Sequence, residues 1–313
     1  MRRERQKKMS VDVIIPTYHP GNKFRELVRR LGRQTVPYHR LIIINTEEDG
    51  FDAALLEGAA NVTVRHISRA EFDHGATRNL GVSLSDAEYF LMMTDDAIPA
   101  DTHLIERMLK ALETDAGIAA VYARQLASRE SSFDEQYARR FNYPEKSRVK
   151  SLEDLPELGI KTYFMSDVCC MYRRAVFREL GGFIRHTIFN EDMIFCAGAM
   201  RAGYKVMYCA EAQVIHAHHY SGIQQLHRNF DLGVSQADHP EVFKGIASEG
   251  EGIRLVKGNA VWLFRSGKIW LLPSLVWRSG CKFIGYQLGK HYRSLPRPLV
   301  RKLSMNVNYW QNA

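Results

Sequence analysis

The chain has 313 residues, is 45% hydrophobic and carries a net charge of +8, which suits one large domain plus a smaller appendage. Five cysteines, an odd number with no framework spacing and no C-x-x-C pair, speak against zinc or redox chemistry and fit a reduced, cytosolic compartment. The longest late apolar run, Ile269–Trp277, contains Pro273 and falls far short of the ~20 residues that span a bilayer.

The basic start, Met1 to Lys8, runs directly into an apolar segment, so no signal peptide is expected. Val11–Pro16 (VDVIIP) reads as a buried strand. Asn22–Gln34 has helical spacing, with Phe24, Leu27, Val28 and Leu31 on one face. Leu41–Asn45 and Val62–His66 are further strands, His74–Ser83 a helix, and Tyr89–Met93 a strand stopped by Thr94-Asp95-Asp96. Thr102–Thr114 is helical and Ile118–Tyr122 strand-like. Ser128–Leu158 is charged and Pro-punctuated and is expected to be a long excursion. Order resumes with Tyr163–Arg173, the Gly181-Gly182 turn and a helix from about Glu191 to Ala202, capped by Gly203. Tyr204–Cys209 and Ala212–His216 are two strand candidates, and a boundary is expected near Pro240, dividing a domain of residues 1–240 from a helical region of residues 241–313. Alternating strands and helices predict an α/β fold with a mostly parallel sheet flanked by helices. Ligands of such sheets sit at the carboxyl ends of the strands, so the polar residues there carry the interest.

Asp95 and Asp96 end one strand. Adjacent carboxylates repel, and a hard divalent cation is one reason to keep them together; a solvated acidic turn is the plainer alternative. His216 and His218 lie two apart, so on a strand they share a face, and a histidine nitrogen can complete such a cation's coordination. Asn190-Glu191-Asp192 opens a helix, where a carboxylate is stabilised by free N–H groups and could deprotonate a hydroxyl, or simply cap. In Phe72–Asn79 (FDHGATRN), Gly75 lets the backbone approach a ligand, and Arg78 offers a cationic fork to phosphate or to a salt bridge.

Between Gly252 and Ala313 there is no Asp or Glu, while Lys and Arg alternate with Trp262, Phe264, Trp270, Trp277, Phe283 and Tyr286. That composition suits an anionic membrane surface. A tail packing its aromatics on the main domain, or a homodimer formed through the same helices, is the alternative. Nucleic acid is not an expected partner, because the charge is confined to the tail.

Taken in order, VIIPTY, the second strand, HGATRNLG, the acidic strand end, GGF, NED and AGYK resemble family 2 glycosyltransferases of the GT-A (Rossmann-like) fold over nearly the whole chain. FDHGATRN with TDDAIP, and the tail FIGYQLGKHYRSLPRPLVRKLSMNVNYW, resemble the branch that uses dTDP-L-rhamnose. The resemblance implies an inverting transferase moving a sugar from a nucleotide-sugar donor to a glycan or lipid-linked glycan acceptor, with Mg²⁺ or Mn²⁺, peripheral on the inner face of the cell membrane. It implies donor binding by Pro16, Thr17, Tyr18, Asn45, Arg78, Asp95 and Asp96, metal binding by Asp96 with His216 or His218, and catalysis by Asp192 of the Glu191-Asp192 pair. Thr94 departs from the family's first Asp, Asn45 from its base-binding Asp, and Phe195 from a common Trp. A UDP- or GDP-linked donor, or a non-catalytic scaffold in polysaccharide assembly, are the alternatives. A nucleotidyltransferase would carry a glycine-rich basic loop after the first strand, which Thr17–Gly21 lacks.

Overall fold

A computed structural model describes residues 9–218, 220–246 and 249–311, so the basic start at Met1–Lys8 lies outside the described residues. Among the described residues, nine strands form one sheet: β1 (Val11–Tyr18), β2 (Arg40–Thr46), β3 (Val62–Ile67), β4 (Tyr89–Met93), β5 (Ile98–Pro99), β6 (Ile118–Leu126), β7 (Arg148–Lys150), β8 (Cys169–Arg173) and β9 (Lys205–Ile215). Their spatial order is β3-β2-β1-β4-β8-β6-β9-β5, with β7 also on β9. β1, β2, β3, β4, β6 and β9 run in one direction, as the alternating pattern predicts, while the short β5, β7 and β8 run against them. The sheet is therefore mixed at its centre: β8 enters from the edge at which β4 and β6 leave.

Helices α1 (Asn22–Leu31), α2 (His74–Ser83), α3 (Leu104–Leu112), α4 (Phe133–Asn142), α5 (Leu155–Leu158), α6 (Arg174–Glu179) and α7 (Glu191–Arg201) connect or flank the strands. The alternation of side chains along each strand divides the core in two. Ile14, Ile42, Phe90 and Met92 face one side, with Phe177 and Phe195; Val13, Ile15, Leu41, Ile43 and Leu91 face the other, with Phe24, Leu27 and Met108.

Three expectations change. The two late strands are one, β9, whose pairing with β6 jumps from Ala123–Cys209 to Arg124–Gln213, so Ala210–Ala212 bulge where the break was expected. The Ser128–Leu158 excursion holds α4 and β7. Helix α4 is mostly polar and shows only a narrow aromatic stripe, Phe133, Tyr137 and Phe141, and β7 is a three-residue edge strand on β9. Gly75 takes the backbone close to another backbone rather than to a ligand, since a Cβ there would lie 1.8 Å from the Ile184 carbonyl oxygen.

The C-terminal part comprises α8 (Gly222–Asp238), α9 (Pro240–Phe243), α10 (Glu249–Arg265), α11 (Leu272–Lys290) and α12 (Arg297–Leu303). A capping box between Ser221 and Gln224 starts α8, which packs along α11 at glycine-allowed distance. A Cβ on Gly285 would meet the Leu226 carbonyl at 2.1 Å, and one on Gly289 the Phe230 carbonyl at 2.1 Å. None of the described helices is long and apolar enough to cross a membrane.

Candidate active site

Along the carboxyl edge of β1, β2 and β3 runs an open cleft of about 1110 Å³, lined by His19, Glu47, Gly50, His66, Arg69 and Glu71 among others. Tyr18 stands exposed beside it, its ring 4.2 Å from that of His19 and 5.6 Å from the Arg69 guanidinium carbon. His19 and Glu47 both hold left-handed backbone (φ 48° and 65°) and meet at 3.3 Å. Such backbone in non-glycine residues persists only where the surroundings enforce it, and it clusters at ligand sites. Pro16 is half-buried and Thr17 buried. Asn45 is buried and hydrogen-bonded on all sides: it accepts from Thr17 Oγ1 at 2.9 Å and donates to the Glu47 carbonyl at 3.0 Å and to His66 Nδ1 at 3.1 Å. It therefore braces the floor and rim of the cleft from within.

Past β4, Asp95 and Asp96 occupy the middle of the edge. Burial and the neighbouring Asp96 push the Asp95 carboxyl up to about 6, against a hydrogen bond from the Tyr18 N–H. Asp96 faces His216 Nε2 at 3.3 Å and His218 Nδ1 at 3.7 Å, one ligand atom from each lying within 4.8 Å of the others. Gln125 donates through Nε2 to Ser166 Oγ at 3.0 Å, which leaves its Oε1 as acceptor for His216 Nδ1 at 2.9 Å. The network thus assigns the hydrogen to Nδ1 and leaves Nε2 bare. That buried Nε2 has no hydrogen-bond partner. A bare nitrogen facing a carboxylate oxygen is unfavourable unless a cation sits between them, and a ligating histidine held by an acceptor at its other nitrogen is the usual support for such a cation. Burial also lowers the proton affinity of both imidazoles, that of His218 to about 3, which favours the neutral, ligating form. The residues fit a divalent cation. A second cluster, Asp12–His39–Asp86, does not: Asp12 is already bound by His39 and by Ser85, at 2.7 Å.

The third group forms at the start of α7. Asn190 is left-handed (φ 66°) and anchored to Ser235 Oγ at 3.1 Å, and this turn aims Glu191 and Asp192 in different directions. Glu191 is buried against Arg78, NH1 to Oε1 3.0 Å, and Arg78 also pairs through Nε with Asp167 Oδ2 at 3.2 Å. Burial disfavours the Glu191 charge, but Arg78 and His74 hold its pKa below the usual value. Arg78 is thus engaged with two carboxylates, and the motif around it clamps the 182–187 loop: Asn79 exchanges two hydrogen bonds with Phe183, and Asp73 accepts from the Thr187 N–H at 3.3 Å. Asp192 keeps part of its surface open. Its Oδ2 accepts from the Asp167 N–H at 3.2 Å and its Oδ1 from the Met193 N–H at 2.7 Å. Burial, then Glu191, then Asp167, drive its pKa well above the carboxylate range.

A path of contacts, hydrogen bonds and one peptide link joins the two carboxylate centres: Asp96 faces His216, His216 bonds Gln125, Gln125 bonds Ser166, and the next residue, Asp167, bonds Asp192. The structure therefore brings Asp95, Asp96, His216, His218, Glu191, Asp192 and Arg78 to one edge, with Tyr18 beside the adjoining cleft and Asn45 buried behind it. The sequence reading missed Gln125, Ser166 and Asp167. Gln125 lies near the end of a strand and Asp167 directly before an apolar run; only the antiparallel entry of β8 puts that beginning beside the ends of β4 and β6.

In the tail, Trp262 packs on Phe133 and Tyr137, and Tyr286 donates to Gln236 at 2.6 Å. Phe264, Trp270, Trp277 and Phe283 are instead 58–73% exposed. The exposed pairs Ile269/Trp270, Val276/Trp277 and Phe283/Ile284 recur every seven residues and so line one side of α11 and the turn before it.

The sequence profile described as Glycosyl transferase family 2 matches residues 12–181. Over 306 residues the chain is 40% identical to the O-antigen chain rhamnosyltransferase RfbN of Salmonella typhimurium (strain LT2), covering 97% of each. It is 38% identical to the O-antigen chain rhamnosyltransferase WbaN of Salmonella anatum, covering 97% of this chain and 96% of the relative. Among solved structures, S. aureus TarS 1–349 in complex with UDP-GlcNAc superposes with a TM-score of 0.53 at 14% identity, covering 91% of this chain and 92% of that one. The mannosyltransferase PcManGT from Pyrobaculum calidifontis, in complex with GDP-Man and Mn²⁺, does so with 0.55 at 15% identity, covering 96% and 84%. At that identity the likeness is one of fold, the GT-A-type arrangement expected from the motif order.

Proposed function

The chain belongs to glycosyltransferase family 2 and is a glycosyltransferase, and on that premise we propose that it moves L-rhamnose from dTDP-L-rhamnose, with inversion, onto a lipid-linked polysaccharide acceptor. The observation that carries this is the path linking the Asp96–His216–His218 cluster to Asp192, which supports reading a cation site and a base along one strand edge. The two O-antigen chain rhamnosyltransferases support the choice of sugar and acceptor.

In this reading the nucleoside lies in the cleft at β1–β3, with the exposed Tyr18 ring as its stacking surface and Thr17, Pro16 and Asn45 shaping the wall. The diphosphate reaches Asp96, where Mg²⁺ or Mn²⁺, held with His216 and His218, would offset the charge of the departing nucleotide. Asp192 takes the proton of the acceptor hydroxyl, and its raised proton affinity makes it a stronger base than a surface carboxylate. Glu191 and Arg78 act as positioning residues: a charged Glu191 locks Arg78, and Arg78 holds Asp167, whose N–H orients Asp192. A single attack from the side opposite the leaving diphosphate inverts the anomeric carbon.

Residues 1–240 carry this chemistry. Residues 241–313 place the enzyme on the inner face of the membrane, the exposed stripe of α11 entering the headgroup layer and Arg254 and Arg265 meeting anionic lipid. The deciding experiment is a donor screen in which purified protein, Mg²⁺ or Mn²⁺ and a panel of nucleotide sugars are assayed for released nucleotide. Turnover of dTDP-L-rhamnose above the UDP- and GDP-linked sugars is expected; preference for one of those would reject the donor assignment.

A further inference from the structure

We propose that a cavity of about 420 Å³ between the end of β6 and α4 is an anion subsite for the acceptor, taking the diphosphate that joins the acceptor glycan to a lipid carrier. The inference rests on the glycosyltransferase reading above. Its lining brings together Arg124, Arg129, Arg139 and Arg140; Arg139 is engaged by Glu135 and Gln125, and Glu145 is the one acid among the described lining residues. Glu145 meets Arg124 at 3.2 Å, but its side chain is 88% exposed, so water screens it and it neutralises little. Arg124 keeps a buried Nε without a hydrogen-bond partner, and Arg140 lies over the Trp262 ring at 5.8 Å. Guanidinium groups gathered around a recess suit the geometry of phosphate oxygens.

The order of strands decides which substrate this is. Along the carboxyl edge come first the nucleoside cleft at β3, β2 and β1, then Asp96 after β4, then Asp167 before β8, then the cavity at the end of β6, while His216 and His218 after β9 reach back to Asp96. A donor stretching from the cleft has its diphosphate at Asp96, so a second, separate set of guanidinium groups past β8 suits the molecule that attacks. Gln125 forms part of the cavity wall and also holds His216, so the two sites share a residue. The outer wall, α4, is tied to α10 through Asn259 to Asp134 at 3.2 Å and through Trp262 against Phe133 and Tyr137. Helix α10 in turn carries the exposed Val261 and Phe264. A lipid tail lying on that apolar surface would bring its phosphates to the arginines and its sugar to Asp192.

The test is equilibrium binding with Mg²⁺ present and the donor site filled by dTDP, using farnesyl diphosphate, inorganic pyrophosphate and farnesol as probes. Farnesyl diphosphate should bind, and Arg124→Gln and the surface variant Arg129→Gln should each weaken it roughly tenfold, as loss of a charge-assisted contact does. Farnesol should bind at least roughly tenfold more weakly than the diphosphate and be insensitive to both variants. Pyrophosphate binding that responds to the variants as strongly as farnesyl diphosphate, with no gain from the prenyl chain, would overturn the lipid-linked assignment. Displacement of dTDP by farnesyl diphosphate, or equal affinity in wild type and both variants, would overturn the subsite. Failure of the enzyme to turn over any nucleotide sugar would sink the functional reading instead, and it is read from a separate assay.

Discussion

His216 presents a bare Nε2 to Asp96 Oδ1 at 3.3 Å because Gln125 occupies its Nδ1 at 2.9 Å. Gln125 is itself set by Ser166, next to the residue whose N–H orients Asp192. Cation binding and base placement thus share one run of contacts.

Gln125→Met should therefore weaken the cation site without touching a ligand. Losing the group that orients a ligating imidazole costs about 10–100-fold in metal affinity. Titration with Mn²⁺ reads this directly, with Asp96→Asn as the variant that loses the cation altogether. Equal Mn²⁺ affinity in wild type and Gln125→Met would remove the assigned role of Nε2.

Asp192→Asn retains the shape and, through its single amide oxygen, one of the two hydrogen bonds from the Asp167 and Met193 N–H groups, but cannot take a proton. Transfer should fall by about 10²–10⁴-fold, the usual worth of a general base, with nucleotide affinity preserved. A variant transferring at the wild-type rate would show that another group accepts the proton.

The base works only when unprotonated, so kcat/KM should rise with pH along an acid limb lying above the ordinary carboxylate range. Burial, Glu191 and Asp167 all raise the Asp192 pKa. Glu191, kept charged by Arg78 and His74, can be neutralised as Glu191→Gln. With one negative neighbour gone, Asp192 releases its proton more readily and the limb should move to lower pH. A limb that stays in place would mean that the profile reports a different group.

Gly285→Val drives a side chain into the Leu226 carbonyl and should cost about 1–3 kcal/mol or more as α8 and α11 are forced apart. Gly280→Ala, on the same helix with nothing near its added Cβ, should stabilise by roughly 0.5–1 kcal/mol. Thermal unfolding of the pair checks the contact, since propensity alone would move both in the same direction.

Trp270→Glu with Phe283→Glu places charge on the exposed stripe without opening the core. Flotation with anionic liposomes should weaken in this variant and in high salt, and vanish on truncation at Gly252. Loss of a dimer in place of loss of flotation would assign the stripe to a second copy of the chain.

Much was legible in the amino-acid order. Apolar runs of strand length, helical spacing at Phe24 to Leu31 and the polar residues after each run are local patterns, set by steric preferences between chain neighbours. They located the parallel strands, Asp95-Asp96, Glu191-Asp192 and the His216/His218 pair. What each side chain does with its partners depends on contacts across tens to a hundred residues, which only the packed fold decides. The antiparallel β8 brings Asp167 to the shared edge; Arg78 turns inward to Asp167 and Glu191; Asn45 is enclosed by Thr17 and His66; and Trp262 packs while Trp270 and Trp277 stay exposed. A local pattern tells which groups stand at the edge, but hydrogen-bond geometry and burial, set by distant segments closing on them, determine which are free to act.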